Sequence, residues 1–238
     1  MKMKLHVIGC HGPFPCAGGA TSGYLLEHEG KALLMDCGAG VLGKLMAIYD
    51  PAMLSGICMS HLHFDHASDL LVLRYYLEKM GKTIPVYVPG EDQSSFRELL
   101  NSPAFSVRDY PEGNMEIMGL SLETLPVRHP APCRALKFSD GEKTLVFTGD
   151  TNDCPGLAAF ASHADILLAD GAFLESEWKE TLPHMSAAGT AKLAREAEAK
   201  KLYITHLPVA HAHETLEKEA KQIFEEAYTV KPGMVICL

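Results

Sequence analysis

The chain has 238 residues, enough for one domain with a sizeable core. Its formal charge of −9, from 21 basic and 30 acidic residues, argues against an extended polyanion-binding surface. The apolar fraction of 47% and mean hydropathy of +0.02 are those of an ordinary soluble protein. No apolar run approaches the roughly 18 residues of a membrane span, so no membrane contact is expected. Residues 1–9 (MKMKLHVIG) are too short, and too soon broken by Gly9, for a secretory signal. The 7 cysteines are an odd set without a C-x-x-C pair, which predicts reduced thiols and a cytoplasmic location.

In chain order, residues 4–9 read as a first strand and 11–19, rich in Gly and Pro, as a loop. Residues 24–27 and 32–36 predict a hairpin around Glu29-Gly30. A helix is expected over 41–49, a buried strand over 57–60 and an amphipathic helix over 67–80, where Leu70, Leu73 and Leu77 recur at helical spacing. A strand at 86–88 and a helix at 91–100 follow. Residues 106–108, 115–118 and 120–127 are expected in a second sheet. Strands 134–138 and 144–148 flank a turn at 139–142. The rest predicts helices at 155–162, 186–200 and 213–228 alternating with strands at 165–169, 202–205 and 234–237. No repeat, linker or low-complexity segment interrupts the series, so residues 1–238 read as a single α/β domain. Two β-rich portions alternating with helices predict two sheets packed face to face with helices outside.

The most informative stretch is His61-Leu62-His63-Phe64-Asp65-His66, lying between a predicted strand and a predicted helix. In extended backbone, residues i and i+2 point the same way, so His61 and His63 can reach one metal ion. Asp65 and His66 sit where the chain bends, and they aim at a second point. Imidazole nitrogen with carboxylate oxygen suits zinc, with manganese or iron as alternatives. Three further groups end predicted strands in the same manner: His129, Asp150 and His206. Together they would complete a binuclear site with a bridging carboxylate. Asp36 closes an apolar strand, either as a helix N-cap or as the group that orients a ligand histidine. His184, just before a helix, has no strand to present it as a ligand, and a histidine unclaimed by metal could protonate a leaving group. Cys10, Cys16, His11, His211 and His213 are rivals for places in the site.

These motifs resemble the metallo-β-lactamase superfamily, and within it the ribonuclease Z-like branch of metal-dependent hydrolases. His61-x-His63-x-Asp65-His66 matches the superfamily motif. Asp36-Cys37-Gly38, Val127-Arg128-His129, Thr148-Gly149-Asp150 and Thr205-His206 match its other elements in order. Pro183-His184-Met185-Ser186 resembles the histidine motif particular to the branch. The resemblance implies a four-layer αβ/βα sandwich. It also implies two zinc ions: one held by His61, His63 and His129, the other by Asp65, His66 and His206, with Asp150 bridging. Family members are often dimers, which makes a homodimer an expectation.

One departure bears on the substrate. Ribonuclease Z carries a tRNA-gripping arm between the positions matching His129 and Asp150, and here only 20 residues lie between them. They include Arg134, Lys137 and Lys143, few cations for a folded RNA. The expected activity is therefore hydrolysis of a small or short phosphodiester, by a hydroxide bridging two zinc ions with Asp65 and His184 in catalytic roles. Structured nucleic acid is not expected as a partner. The alternatives are tRNA 3′-end cleavage, hydrolysis of a lactone, thioester or aryl sulfate, and a non-catalytic metal-binding scaffold.

Overall fold

Alternating apolar residues build the first strand, β1 (Lys4–Gly9), in which Leu5 and Val7 are buried and Lys4 is exposed. A computed structural model describes residues 3–238; Met1 and Lys2, the first two residues of the stretch read above against a secretory signal, lie outside the described residues. The chain forms two compact units, one running up to Glu112 and including Lys231–Cys237, the other covering Gly113–Val230 and Leu238.

In the first unit β1 is followed by β2 (Gly23–His28), β3 (Lys31–Met35), β4 (Ile57–Cys58), β5 (Ile84–Val88) and β6 (Phe105–Asp109). The second unit holds β7 (Met115–Ile117), β8 (Leu120–Pro126), β9 (Arg134–Ser139), β10 (Thr144–Phe147), β11 (Ile166–Asp170), β12 (Leu202–Thr205) and β13 (Ala227–Thr229). The chain then returns to the first unit as β14 (Val235–Cys237). Each unit carries a seven-stranded sheet, ordered β14-β1-β2-β3-β4-β5-β6 and β13-β12-β11-β10-β9-β8-β7. Both are mixed. β3 to β6 run parallel in the first and β10 to β13 in the second, while the remaining pairings are antiparallel. The parallel strands at the middle of each sheet are wholly buried, as strands covered on both faces must be: both residues of β4 and all five of β11.

The helices are α1 (Val41–Leu45), α2 (Phe64–Ala67), α3 (Leu70–Met80), α4 (Ser95–Leu99), α5 (Leu157–Phe160), α6 (Ala187–Glu196) and α7 (His213–Lys221). Among the described residues, no helix is long and apolar enough to cross a membrane.

Three expectations need correction. Residues 106–108 belong to β6 and pair in parallel with β5 in the first sheet, not the second. Local alternation cannot say which sheet a strand joins; the α4 crossover decides it. The helix expected over 213–228 ends at Lys221, and Ala227–Thr229 adds a strand beside β12. Glu217, midway along α7, accepts from Thr229 N (2.9 Å) and Thr229 Oγ1 (3.1 Å), which fixes that short strand. A three-residue strand carries too little periodicity to be read locally. The helix expected over 67–80 is two pieces, with Asp65 and His66 inside the first. Its break falls at Asp69, whose carboxylate turns away to accept from Leu42 N at the start of α1 (2.8 Å). The N-cap of α1 is Gly40, not Asp36; Asp69 serves its first turn from a distance, and burial raises the pKa of that carboxyl.

The Asp36-Cys37-Gly38 turn is clamped to the ligand stretch through backbone. Cys37 N donates to His66 O (2.6 Å) and Ser22 N to Asp65 O (3.1 Å). A Cβ on Gly38 would lie 1.9 Å from Asp65 O, so only glycine lets the two segments meet. Gly38→Ala is therefore expected to destabilise the protein by about 2–3 kcal/mol, the upper range for overpacking against backbone. Urea denaturation checks this, and an unchanged midpoint would refute it.

Asp165, at the start of β11, accepts from Lys200 Nζ (2.8 Å), Lys143 Nζ (3.0 Å) and Thr144 N (3.0 Å). Burial alone would raise its pKa, but these donors outweigh burial and hold the carboxyl below its ordinary value. A depressed carboxyl stabilises the fold above its unfolded pKa near ~4, and that contribution is lost as pH falls through the folded value. Asp165→Asn should cost about 1 kcal/mol at pH 7, a value limited by the solvent exposure of both lysines. The gap to the unsubstituted protein should narrow below about pH 4. Denaturation at pH 7 and pH 3 measures it, and an equal gap at both would remove the assignment.

Candidate metal centre and flanking histidine

β4 ends at Cys58, and the ligand stretch emerges from its C-terminal end, beside the parallel neighbours β3 and β5. Such strand ends are where open parallel sheets place their sites. His61 is fully buried, His63 is exposed and extended (φ −64°, ψ 152°), and His66 is buried on the first turn of α2. The His61 ring packs against both others, with centroids 4.6 Å from His63 and 4.1 Å from His66.

Asp36, fully buried just past β3, organises this group. It adopts φ 57°, a conformation that non-glycine residues rarely take. Its carboxylate accepts from Ser60 N (2.7 Å), Ser60 Oγ (2.8 Å) and Ser22 Oγ (3.2 Å). Its remaining contact is His66 Nδ1 at 2.7 Å. This contact holds Nδ1 against the carboxylate and turns Nε2, the ring atom suited to a cation, to the opposite edge. The Asp65 carboxylate lies 3.7 Å from that Nε2. Asp36 thus fixes the His66 ring through one of its nitrogens.

In the second unit, β10, β11 and β12 run parallel, and Asp150, Asp170 and His206 lie at or just past their C-terminal ends. Gly149 (φ 61°) and His206 (φ 55°) both take left-handed conformations as the chain leaves the sheet. His206 Nε2 is 3.2 Å from Asp150 Oδ2, and both residues are nearly inaccessible. His129 follows Arg128, which bridges to Asn152, and its Nδ1 is 3.5 Å from Pro183 O. The donor atoms of His129, Asp150 and His184 lie within 4.8 Å of one another, as do those of Asp170, His184 and His206.

Asp170 is the residue the sequence reading missed. It is fully buried, accepts from Thr151 N (2.9 Å) and sits 2.7 Å from His184 Nδ1. It therefore fixes the His184 ring with Nε2 on the side away from the carboxylate. His184 stacks on His206, with centroids 4.5 Å apart and planes 18° apart. A signal was available: Asp170 ends an apolar strand in the same way as Asp150, and the predicted strand stopped one residue short of it. His184 itself rides on the segment between β11 and α6. Trp178 Nε1 donates to His184 O (3.0 Å), and Asn152 Nδ2 donates to Leu182 O (2.6 Å) and Glu180 O (3.2 Å).

The rivals take other partners. His11 Nδ1 is 3.1 Å from Ala20 O and its Nε2 is 3.4 Å from Cys16 Sγ. His211 pairs with Glu177 at 2.9 Å, and His213 opens α7. Burial lifts the Cys10 thiol pKa to about 12, which disfavours the thiolate that a metal would bind. Among the described residues, none of these five joins a group of three or more ligand-type side chains.

The donor set fits a zinc-type ion. Each unit offers buried or half-buried imidazoles with a carboxylate alongside, and in each a buried aspartate fixes one imidazole through Nδ1.

Residues 31–207 match the family model described as a β-lactamase superfamily domain. The Bacillus subtilis protein named probable metallo-hydrolase YhfI is 33% identical over 98% of this chain and 99% of its own. A crystal structure of that metallo-β-lactamase fold protein from Bacillus subtilis superposes with a TM-score of 0.96 at 32% identity, covering 100% of both chains. A ribonuclease Z from Methanosarcina acetivorans is 24% identical over 98% of this chain and 97% of its own. The chain belongs to the β-lactamase superfamily and has the metallo-β-lactamase fold, the αβ/βα architecture expected from its motifs.

Proposed function

We propose that this chain is a metal-dependent hydrolase that uses two zinc ions to cleave a small or short phosphodiester. The observation that carries the reading is the Asp170–His184 pair, 2.7 Å apart, beside Asp150 and His206. His61, His63 and His129 would hold one ion and Asp65, His66 and His206 the other, with Asp150 shared, as the family resemblance implies. Ions bound there would make an attacking oxygen available near neutral pH and offset the charge on the phosphate oxygens.

The remaining work falls to side chains. Asp36 holds the His66 ring, so its Nε2 is presented without a search over rotamers. Asp170 holds His184 through Nδ1, so a proton carried on Nε2 can pass to the departing alkoxide. The ribonuclease Z relative is consistent with phosphodiester chemistry. The short β9–β10 hairpin, where the arm would stand, favours a small substrate over precursor tRNA.

Protein purified without added zinc should carry about two metal equivalents per chain, and Asp150→Ala should lower that content. Elemental analysis measures it; less than one equivalent, unchanged in Asp150→Ala, would rule out a two-ion site. His184→Ala should keep its metal and lose about 10²–10⁴-fold in rate on a diester with an alkyl leaving group, and far less on a p-nitrophenyl ester. Asp170→Asn should share that split, and the double variant should be little worse than either single one. Equal losses on both substrates would make His184 a phosphate-binding group, and loss of metal in His184→Ala would make it a ligand. Lactone, thioester and aryl sulfate substrates run in parallel decide the bond.

A further inference from the structure

The second unit carries a cavity of about 430 Å³, one wall of which is Phe173, a ring in contact distance of His184. Its lining includes Phe173, Leu182, Pro208, Ala210, Glu177 and His211. That volume is within the usual range of small-molecule sites. We propose that this cavity is a nucleobase subsite, so that the diester cleaved here is a nucleotide ester. The proposal rests on the phosphodiesterase reading above and deepens it.

The position is set by the chain. Phe173 lies three residues past Asp170, and Pro208 two residues past His206, so both ends of the cavity are tied to the reacting groups. The Phe173 ring centroid is 6.1 Å from that of His184. Phe173 is held by main chain: it bridges to Ser186, and Ala187 N donates to Phe173 O (2.8 Å). It is therefore a fixed aromatic wall beside the proposed proton donor.

The chemistry of the lining selects the occupant. Phe173, Leu182, Pro208 and Ala210 give the cavity its apolar lining, with the Phe173 ring as its aromatic surface. Glu177 and His211, paired at 2.9 Å, put a carboxylate and an imidazole on the same cavity, and Lys179 adds an ammonium. An alkyl or acyl chain would fill the slot but desolvate that pair without replacing its water contacts. A sugar alone would leave the apolar wall uncovered. A heterocycle satisfies both, with its face on Phe173 and its ring-edge donors and acceptors on Glu177 and His211.

The test measures binding and turnover separately. Adenosine 5′-monophosphate and ribose 5-phosphate are titrated into the metal-loaded protein by calorimetry. Hydrolysis is compared on the p-nitrophenyl ester of adenosine 5′-monophosphate and on methyl p-nitrophenyl phosphate. Adenylate should bind at least about tenfold more tightly than ribose 5-phosphate, as base stacking of ~1–3 kcal/mol allows. Phe173→Leu should cut that advantage to about threefold or less, and Phe173→Tyr should keep it. Ala210→Trp, on an exposed loop position, should remove it by filling the slot. Equal affinities, or an advantage that survives both Phe173→Leu and Ala210→Trp, would overturn the subsite. If both esters are cleaved with equal KM and adenylate has no advantage, the subsite fails and the phosphodiesterase reading stands. If neither ester is cleaved while adenylate keeps a Phe173-dependent advantage, the subsite stands and the phosphodiesterase reading fails.

Discussion

A carboxylate with no access to water must be given donors by the protein, and Asp36 is where this chain meets that requirement. Ser22, Ser60 and His66 each donate to it, and these three residues come from separate segments of the first unit. Satisfying one buried charge therefore brings β3, the end of β4 and the first turn of α2 to a common point. Removing the charge would leave four donor groups unmet, and removing a donor would leave part of the charge unmet. The orientation of His66 follows from the same bonds that hold the turn.

The second unit repeats the solution with Asp170. Its carboxylate joins Thr151, just past β10, to the segment that carries His184, and its own N–H donates to Thr148 Oγ1 (3.0 Å). In each unit a buried aspartate at a parallel strand end holds one imidazole by its Nδ1. The strained residues follow the same logic. Asp36 and His206 both adopt positive φ where the chain leaves a strand to present a side chain.

Much of this was legible in the sequence. His61-x-His63-x-Asp65-His66 is a dense, local pattern, and strand ends marked by Val127, Thr148 and Thr205 pointed to His129, Asp150 and His206. What local reading lacked was pairing between distant segments. Nothing near residues 105–109 tells which sheet they join, and nothing near Ala227–Thr229 shows that β12 awaits a partner. The break before α3 depends on Asp69 being drawn to α1, a contact between residues 27 apart in sequence. Asp170 was missed for a smaller reason. A carboxylate at the end of an apolar strand has no motif of its own until the histidine it holds is known, and His184 lies 14 residues further on.

The β9–β10 connection has a consequence for how such chains diversify. The turn is self-contained: Asp140 Oδ1 accepts from Glu142 N (2.9 Å) and Lys143 N (2.7 Å), and Gly141 sits at φ 91°. The strands on either side are paired over their length, so their ends stay in place whatever joins them. Closing a longer loop adds little, about 0.6 kcal/mol for each doubling of its length. Extra chain inserted at Gly141 would be a nearly neutral addition to stability, while its charge would decide what the molecule could grip. Acquiring or shedding an RNA-holding arm would thus change the clientele of the site without disturbing a single bond to Asp36 or Asp170.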